Sequence, residues 1–224
     1  MNKIAVIVAG GSGKRMQNKI PKQFLLLCGK PILMQTINRF FQYDNKIEII
    51  VVLPENQFDR WRDLCLKFNF IIKHRLVVGG AERFFSVKNA LSNIENEGLV
   101  AIHDGVRPLV NDETIKNCFE KAEKTSCAVP VVDIKESIRF VENNNNISVN
   151  RAKYKIVQTP QVFDVMSLKE AYSQTFNSSF TDDASVFEAM GNSISIVHGN
   201  VENIKITDSF DLRIAEILMK ILSY

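Results

Sequence analysis

Short apolar runs rich in β-branched residues alternate with amphipathic stretches along the first two thirds of the chain. The apolar runs are 4–8, 47–53, 76–78, 99–102 and 127–131, and the amphipathic stretches are 32–41, 57–68, 83–94 and one opened by Asn111 or Asp112. Strands buried on both faces have continuous apolar sequences, and strands that alternate with helices form parallel sheets. The pattern therefore predicts an α/β fold, with a mostly parallel sheet covered by helices on both faces.

The alternation breaks between residues 133 and 155. Two short apolar segments there flank a polar, asparagine-rich tip at 142–146, which is typical of a hairpin turn. An isolated hairpin is marginal in water, so a second subunit is the natural surface for it to pack on. Further elements are predicted at 157–163 (strand), 167–176 (helix), 182–190 (helix), 194–197 (strand) and 209–222 (helix). We predict one domain over 1–224, with 134–156 as a dimerisation arm.

Composition narrows the classes of protein that fit. Hydrophobic residues make up 46% and charged residues 24%, which excludes a disordered or fibrous chain. The net charge is only +3 and no long Lys/Arg run occurs, so no nucleic-acid partner is predicted. The four cysteines lack C-x-x-C spacing and a histidine cluster, which argues against a zinc site or a disulfide framework. Without a signal region or a membrane-length apolar run, a cytoplasmic protein with no membrane partner is expected.

A glycine-rich segment, Ala9–Met16, follows the first strand, and Pro21–Gln23 comes shortly after it. Its three glycines let backbone N–H groups approach a ligand, and Lys14, Arg15 and Lys22 supply positive charge. This combination predicts a site for a nucleoside triphosphate.

Two familiar phosphate motifs do not fit this segment. The P-loop needs Ser or Thr after its lysine, where Arg15 stands, and the dinucleotide fingerprint needs glycine at Met16. On composition alone, an ordinary strand-to-helix turn with solvated lysines stays an alternative.

Ligands of open α/β sheets bind at the carboxyl ends of the strands, and polar clusters follow two more predicted strands. Gly79–Arg83, with Ser86, could contact a base, ribose or phosphate, or could be only a turn and a helix start. In His103–Pro108, Asp104 is placed for magnesium or a substrate hydroxyl. An Asp104–Arg107 ion pair that holds the loop is the competing interpretation. His103 is expected to have a packing or hydrogen-bonding role rather than to act as a catalytic base.

Three later features carry weaker signals. Arg151, Lys153 and Lys155 alternate, which places them on one face of a strand, and a solvated charged edge is the usual explanation. Thr181 or the residue after it is a sound helix N-cap. Lys205 lies between two apolar residues in a strand-like segment and is expected to point into a pocket or into water.

Taken in order, these segments resemble the 2-C-methyl-D-erythritol 4-phosphate cytidylyltransferase family of non-mevalonate isoprenoid biosynthesis, over nearly the whole chain. The matching segments are Ala9–Met16, Pro21–Phe24, Gly79–Arg83, His103–Pro108, Thr159–Gln161, Thr181–Ser185 and Asn203–Thr207. The resemblance implies a Rossmann-like sheet with a protruding two-stranded β-arm, a homodimer built through that arm, and CTP, methylerythritol phosphate and Mg²⁺ as ligands.

The resemblance also implies roles for individual residues. Arg15 and Lys22 would be catalytic, stabilising charge on the α-phosphate of CTP. The residues implied to contact CTP are Ala9, Gly10, Gly11, Gly13, Gly80, Arg83, Ser86 and Asp104. Those implied to bind methylerythritol phosphate are Asp104, Arg107, Ser137, Arg151, Thr181 and Lys205. Ser137 and Arg151 would reach the neighbouring subunit's site, and Asp104 is the candidate Mg²⁺ ligand, with the ion held mainly by CTP phosphates.

Some positions depart from the family's common forms. Ala81 stands where Asp is frequent, Gly105-Val106 replaces an Ala-Ala pair, and Ser137 replaces Thr.

Other functions stay open. The nearest alternative is a ribitol 5-phosphate cytidylyltransferase, although Thr181–Ser185 favours the erythritol enzyme. A sugar-phosphate nucleotidylyltransferase that uses another base and a non-catalytic nucleotide-binding module are the broader alternatives.

Overall fold

The computed structural model describes residues 1–10 and 20–222. The strands in these ranges are Lys3–Val8 (β1), Leu26–Leu27 (β2), Lys30–Pro31 (β3), Glu48–Leu53 (β4), Arg75–Val78 (β5), Leu99–Asp104 (β6), Cys127–Asp133 (β7), Arg139–Glu142 (β8), Asn145–Ser148 (β9), Lys155–Val157 (β10), Gln161–Asp164 (β11) and Ile196–His198 (β12). The α-helices are Ile32–Tyr43 (α1), Phe58–Lys67 (α2), Arg83–Ser92 (α3), Asp112–Thr125 (α4), Val165–Ala171 (α5), Asp183–Glu188 (α6) and Ser209–Ile221 (α7).

The central sheet has the order β10-β7-β11-β6-β1-β4-β5, with β12 also paired to β7. Strands β6, β1, β4 and β5 are parallel, whereas β11 is antiparallel to both β6 and β7. The α/β prediction of a mostly parallel sheet is confirmed. The chain passes from β1 to β4 and β5 on one side and then returns to β6 on the other. This reversal of direction opens a crevice at the carboxyl ends of β1 and β6.

Apolar side chains from both faces of the sheet form separate cores. Ile37 and Phe40 of α1 pack with Phe119 of α4 on one face, and Val87 of α3 packs with Phe163 of β11 on the other. Burial of such side chains on both faces explains why the strand sequences are continuous apolar runs. Among the described helices, none is long and apolar enough to cross a membrane.

Several predicted elements have different bounds in the structure, and the differences after the hairpin are the largest. The strand predicted over 157–163 is two strands, β10 and β11, which are separated at 158–160. Pro160 has no N–H to donate to a ladder, and β11 pairs between β6 and β7 whereas β10 pairs with β7. The helix predicted over 167–176 spans Val165–Ala171 instead. Its start is set by Asp164, which accepts the Ser167 N–H at 2.9 Å and caps the helix.

The predicted hairpin is present as β8 and β9, a two-stranded sheet of its own. Its apolar side chains face solvent in the single chain, with 53% of Phe140, 69% of Val141 and 61% of Ile147 exposed. The predicted alternation along one strand after the hairpin is wrong. Residues Arg151–Lys153 form a 3₁₀ turn, opened by Asn150, whose side chain accepts the Ala152 N–H.

Candidate active site

The loops after β1, β5 and β6 converge at the carboxyl edge of the sheet. The Gly79 N–H donates to Leu53 O at 2.8 Å, and the Gly105 N–H donates to Val8 O at 2.9 Å, so the pairing extends one residue beyond the strands. The loops are thereby brought together although they are far apart in sequence.

A first cleft, of about 350 Å³, opens between these loops. The sequence-predicted residues that line it are Ala9, Gly10, Lys22, Gly80, Arg83, Ser86, Asp104 and Lys205. Ala81, which departs from the family pattern, lines it as well. The predicted residues Gly11, Gly13 and Arg15 lie outside the described residues.

The turn before α3 is folded tightly onto the helix. Ser86 Oγ accepts the Gly80 N–H at 3.0 Å and donates to Glu82 O at 3.2 Å. A Cβ atom at Gly80 would lie 2.3 Å from Phe85 Cβ, so a larger residue has no room there. The Ser86 hydroxyl therefore holds the turn that forms this wall of the cleft.

Lys22 begins a 3₁₀ turn, Lys22–Phe24, at the rim of the first cleft. The next residue, Gln23, is buried, and its Nε2 donates to Ala9 O at 2.9 Å and to Gln57 Oε1 at 2.7 Å. Gln23 therefore ties this turn to the end of β1 and fixes where Lys22 stands, a role that the sequence analysis did not assign.

A second cleft, of about 210 Å³, adjoins the first. It contains the predicted residues Arg107 and Thr181, and it shares Arg83, Asp104 and Lys205 with the first cleft. We call these three shared residues the common wall. Two polyanionic ligands, one in each cleft, would meet at this wall.

Asp104 lies at the centre of a cationic cluster. Its Oδ2 is 3.0 Å from Arg107 Nε and 3.1 Å from Lys205 Nζ, and its Oδ1 is 4.0 Å from Arg83 Nε. Burial alone would raise the pKa of Asp104, but the charges of Arg83, Lys205 and Arg107 hold it well below its usual range. The Asp104–Arg107 ion pair, the competing interpretation from the sequence, is present, and its two members also line a cleft.

The surroundings of Asp104 do not suit a divalent cation. Mg²⁺ would have to displace the cations already paired with this carboxylate. Within residues 1–10 and 20–222, moreover, no three His, Cys, Asp or Glu side chains are grouped so that they could hold a metal. The predicted role of Asp104 as a metal ligand therefore lacks a fitting donor set.

His103 lies in β6 next to Asp104 and bonds to the loop that follows the strand. Its Nε2 donates to Arg107 O at 3.0 Å, and its Nδ1 accepts from Thr159 Oγ1, 3.0 Å away. Thr159 Oγ1 also accepts the Asp104 N–H at 3.1 Å. Burial lowers the pKa of His103 to about 4, so the ring is neutral near pH 7. The expected packing role of His103 agrees with these contacts.

The segment that carries Lys205 is held by one backbone bond, from the Ile206 N–H to Val106 O at 3.0 Å, and by side chains. Arg107 Nη1 donates to Asn203 O at 2.8 Å, and Asn203 Nδ2 donates to Thr159 O at 2.8 Å. Residue 205 is not in a strand, contrary to the strand-like expectation. The buried Asn203 thereby places Lys205 against Asp104.

The start of α6 forms the far side of the second cleft. Asp182 is the N-cap, in a capping box with Ser185, so the cap predicted at 181 or 182 falls on Asp182. Gln161 Nε2 donates to Asp182 Oδ2, and Gln161 Oε1 accepts the Ala184 N–H, both at 2.8 Å. These bonds leave Thr181 exposed at the cleft.

The predicted arm residues, Ser137 and Arg151, lie away from the first and second clefts. Arg151 donates to Lys135 O at the base of the arm, in a depression that Lys155 also lines. Neither Ser137 nor Arg151 is among the described residues that line the first or the second cleft of the same chain. Their predicted contact with substrate therefore depends on a second subunit.

His103 makes folding stability depend on pH. A histidine in the unfolded chain titrates near pH 6.5, whereas the folded-state pKa of His103 is about 4. The unfolded state therefore binds more protons below pH 6.5, and stability is lost as the pH falls toward 4. We expect the free energy of unfolding, measured with urea, to drop by about 2 kcal/mol from pH 7 to pH 5.

A His74→Gln variant is the control for this measurement, because burial also lowers the pKa of His74. If His74→Gln retains most of the decrease in unfolding free energy between pH 7 and pH 5, that decrease is due to His103. An unfolding free energy in this variant that is flat between pH 7 and pH 5 would contradict the role given to His103.

An α/β sheet with two adjoining, cation-lined clefts at its carboxyl edge suits a nucleotidyltransferase, an enzyme that must hold two phosphorylated ligands side by side. Comparison with known proteins specifies the family: the profile of 2-C-methyl-D-erythritol 4-phosphate cytidylyltransferase matches residues 3–221. The chain belongs to this family.

Individual relatives agree with that assignment. The 2-C-methyl-D-erythritol 4-phosphate cytidylyltransferase of Phocaeicola vulgatus is 51% identical over 219 residues, covering 98% of this chain and 100% of the relative. The crystal structure of 4-diphosphocytidyl-2C-methyl-D-erythritol synthase from Anaerococcus prevotii superposes with a TM-score of 0.83 at 27% identity, covering 98% of this chain and 96% of that one. The Thermus thermophilus cytidylyltransferase structure has a TM-score of 0.80 at 28% identity, covering 98% and 100%.

Proposed function

We propose that this protein converts CTP and 2-C-methyl-D-erythritol 4-phosphate to 4-diphosphocytidyl-2-C-methyl-D-erythritol and pyrophosphate, in non-mevalonate isoprenoid biosynthesis. The observation that carries this proposal is the pair of adjoining clefts with the common wall of Arg83, Asp104 and Lys205. Each cleft has cationic residues suited to a phosphorylated ligand.

In the proposed reaction, a phosphate oxygen of methylerythritol phosphate attacks the α-phosphorus of CTP in line. The new P–O bond forms as the bond to the β-phosphate oxygen breaks, and pyrophosphate leaves with that electron pair. The attacking oxygen is already anionic, so no protein nucleophile is required. The protein has to position two mutually repelling phosphates and to stabilise the charge of the transition state.

The proposed roles follow the two clefts. In the first cleft, Lys22 acts on the α-phosphate together with Arg15, which lies outside the described residues. The residues proposed to hold CTP are Ala9, Gly10, Gly11, Gly13, Gly80, Arg83, Ser86 and Asp104. In the second cleft, Asp104 accepts substrate hydroxyls, and the cations Arg107 and Lys205 bind the phosphate, with Thr181 at the rim.

Mg²⁺ remains part of the proposal as an ion held mainly by the phosphates of CTP. The proposed reaction needs no ion held by Asp104, because this carboxylate already pairs with Arg107 and Lys205.

Pyrophosphate release tests the function directly. The wild-type protein with CTP and Mg²⁺ is expected to release pyrophosphate when methylerythritol phosphate is added, and to release much less with ribitol 5-phosphate. Faster release with ribitol 5-phosphate would transfer the proposal to that substrate. Release with neither would favour a nucleotide-binding module.

We further propose that the chain is a homodimer built through the arm, 134–156. The exposed apolar side chains of β8 and β9 support this, because an apolar hairpin is stabilised by a partner surface. Ser137 and Arg151 would then complete the second cleft of the neighbouring subunit.

Cross-complementation tests the shared site. Lys22→Ala and Arg151→Ala chains are each expected to be nearly inactive, whereas a co-refolded equimolar mixture should recover about a quarter of wild-type activity. Half of the dimers are then mixed, and each mixed dimer has one intact site of two. Co-refolded wild-type chains provide the reference. A mixture no more active than the separate variants would rule out a site shared through Arg151.

A further inference from the structure

Arg83, in the common wall, is held from behind by a buried carboxylate. Its Nη1 donates to Asp183 Oδ1 at 2.9 Å, and its Nη2 donates to Asp183 Oδ2 at 2.6 Å. Asp183, in the first turn of α6, is completely buried. A bidentate pair of this kind fixes the plane of the guanidinium as well as its position.

Asp183 is itself fixed by Tyr172, which follows α5. The Tyr172 hydroxyl donates to Asp183 Oδ1 at 2.7 Å, and its ring stacks on Phe84 with the centroids 4.8 Å apart. Burial and the charge of Asp183 raise the pKa of Tyr172, so the hydroxyl keeps its proton and stays a donor. A chain of two contacts therefore leads from the core to Arg83.

We propose that Asp183, held by Tyr172, is a positioning residue that sets the orientation of Arg83 between the two clefts. The inference rests on the proposed function and adds to it two residues that touch neither cleft. Two of the five guanidinium N–H groups are used by Asp183, which leaves the Nε edge directed toward Asp104, 4.0 Å away.

The charges around Arg83 explain why this support matters. Without the charge of Asp183, the nearest anion for Arg83 is Asp104, which already pairs with Arg107 and Lys205. A guanidinium drawn toward Asp104 would change its position in both clefts, because Asp104 lines both. Loss of the Asp183 charge is therefore expected to impair the binding of both substrates.

Steady-state kinetics and CTP titration calorimetry of four variants test the proposal. Asp183→Asn is expected to raise KM for CTP and for methylerythritol phosphate and to lower kcat/KM by about 10- to 100-fold, with CTP binding weakened to match. Tyr172→Phe, which keeps the ring stacked on Phe84, is expected to lower kcat/KM by about 3- to 10-fold. Because Asp183 acts through Arg83, Asp183→Asn should have little further effect in an Arg83→Gln background.

Asp164→Ala serves as the stability control, since it removes the N-cap of α5 and should lower Tm without changing either KM. The proposal is overturned if Asp183→Asn leaves both KM values and CTP binding unchanged, or if its effect is undiminished in the Arg83→Gln background. If Asp183→Asn does not fold, an unchanged kcat/KM in Tyr172→Phe overturns it equally.

Failure of the proposed reaction can be distinguished from failure of the positioning role of Asp183. A wild-type protein that binds CTP but releases no pyrophosphate refutes the reaction. In that event, weaker CTP binding by Asp183→Asn would still support the positioning role, and unchanged binding would refute it.

Discussion

Replacing Lys22 with alanine is expected to lower the rate of pyrophosphate release by about 100- to 1,000-fold. The lysine lies at the rim of the first cleft, on a turn that buried Gln23 anchors to the end of β1. In the proposed reaction, a cation fixed in this way stabilises charge that develops in the transition state, so the loss should fall mainly on kcat. Initial rates at saturating CTP and methylerythritol phosphate measure it.

Lys46→Ala is the matched control, because this exposed lysine lies before β4, at the opposite edge of the sheet. Its turnover should equal that of the wild type. If Lys22→Ala keeps near-normal kcat while Tm is unchanged, Lys22 has no role in the chemical step.

Replacing Asp104 with asparagine is expected to reduce activity nearly as much as Lys22→Ala does, but through KM rather than kcat. The carboxylate keeps Arg83, Arg107 and Lys205 together, and the amide would leave three cations facing one another. We expect KM for methylerythritol phosphate to rise and kcat/KM to fall by about 100-fold, because substrate hydroxyls lose their charged acceptor. Stability should fall by about 3 kcal/mol at pH 7, as when one partner of a buried ion pair is removed.

The stability change has a defined pH dependence. Since the pKa of Asp104 is lower in the folded state than in the unfolded one, its contribution is present above about pH 4 and is lost as the pH falls further. Urea unfolding at pH 7 and at pH 3 should therefore show a smaller difference between wild type and variant at pH 3. Asp44→Asn, which removes a carboxylate from an ion pair with Lys3, should leave both KM values unchanged. A KM for methylerythritol phosphate within twofold of wild type in Asp104→Asn would refute a role for Asp104 in binding that substrate.

The sequence predicts those features of the fold and of the site that depend on the local pattern of apolar and polar residues. The alternation of strands and helices places Gly80 and Asp104 after parallel strands, and such strand ends must share one edge of the sheet. The apolar core followed from the same alternation, because buried strands tolerate little polarity. These features depend on residues that are close together in the chain.

Contacts between residues that are far apart in the chain could not be predicted from the sequence. Arg83 and Asp183 are 100 positions apart, and Arg107 and Asn203 are 96 apart, so their hydrogen bonds depend on tertiary packing alone. The run 157–163 showed apolar character but not that Pro160 divides it between two pairings. The sequence offers a loop ion pair and a cleft role as alternatives for Asp104. The structure shows both, because one carboxylate has two oxygens and several partners.

The common wall also bears on the design of inhibitors. Because Arg83, Asp104 and Lys205 face both clefts, a compound that links a nucleotide-like group to a polyol phosphate has to cross alternating cationic and anionic atoms. A linker that carries both a hydrogen-bond donor and an anionic group would match that pattern, whereas a purely apolar linker would leave buried charges unsolvated. Joining the two groups would also make the second binding event intramolecular, which raises affinity without any new contact.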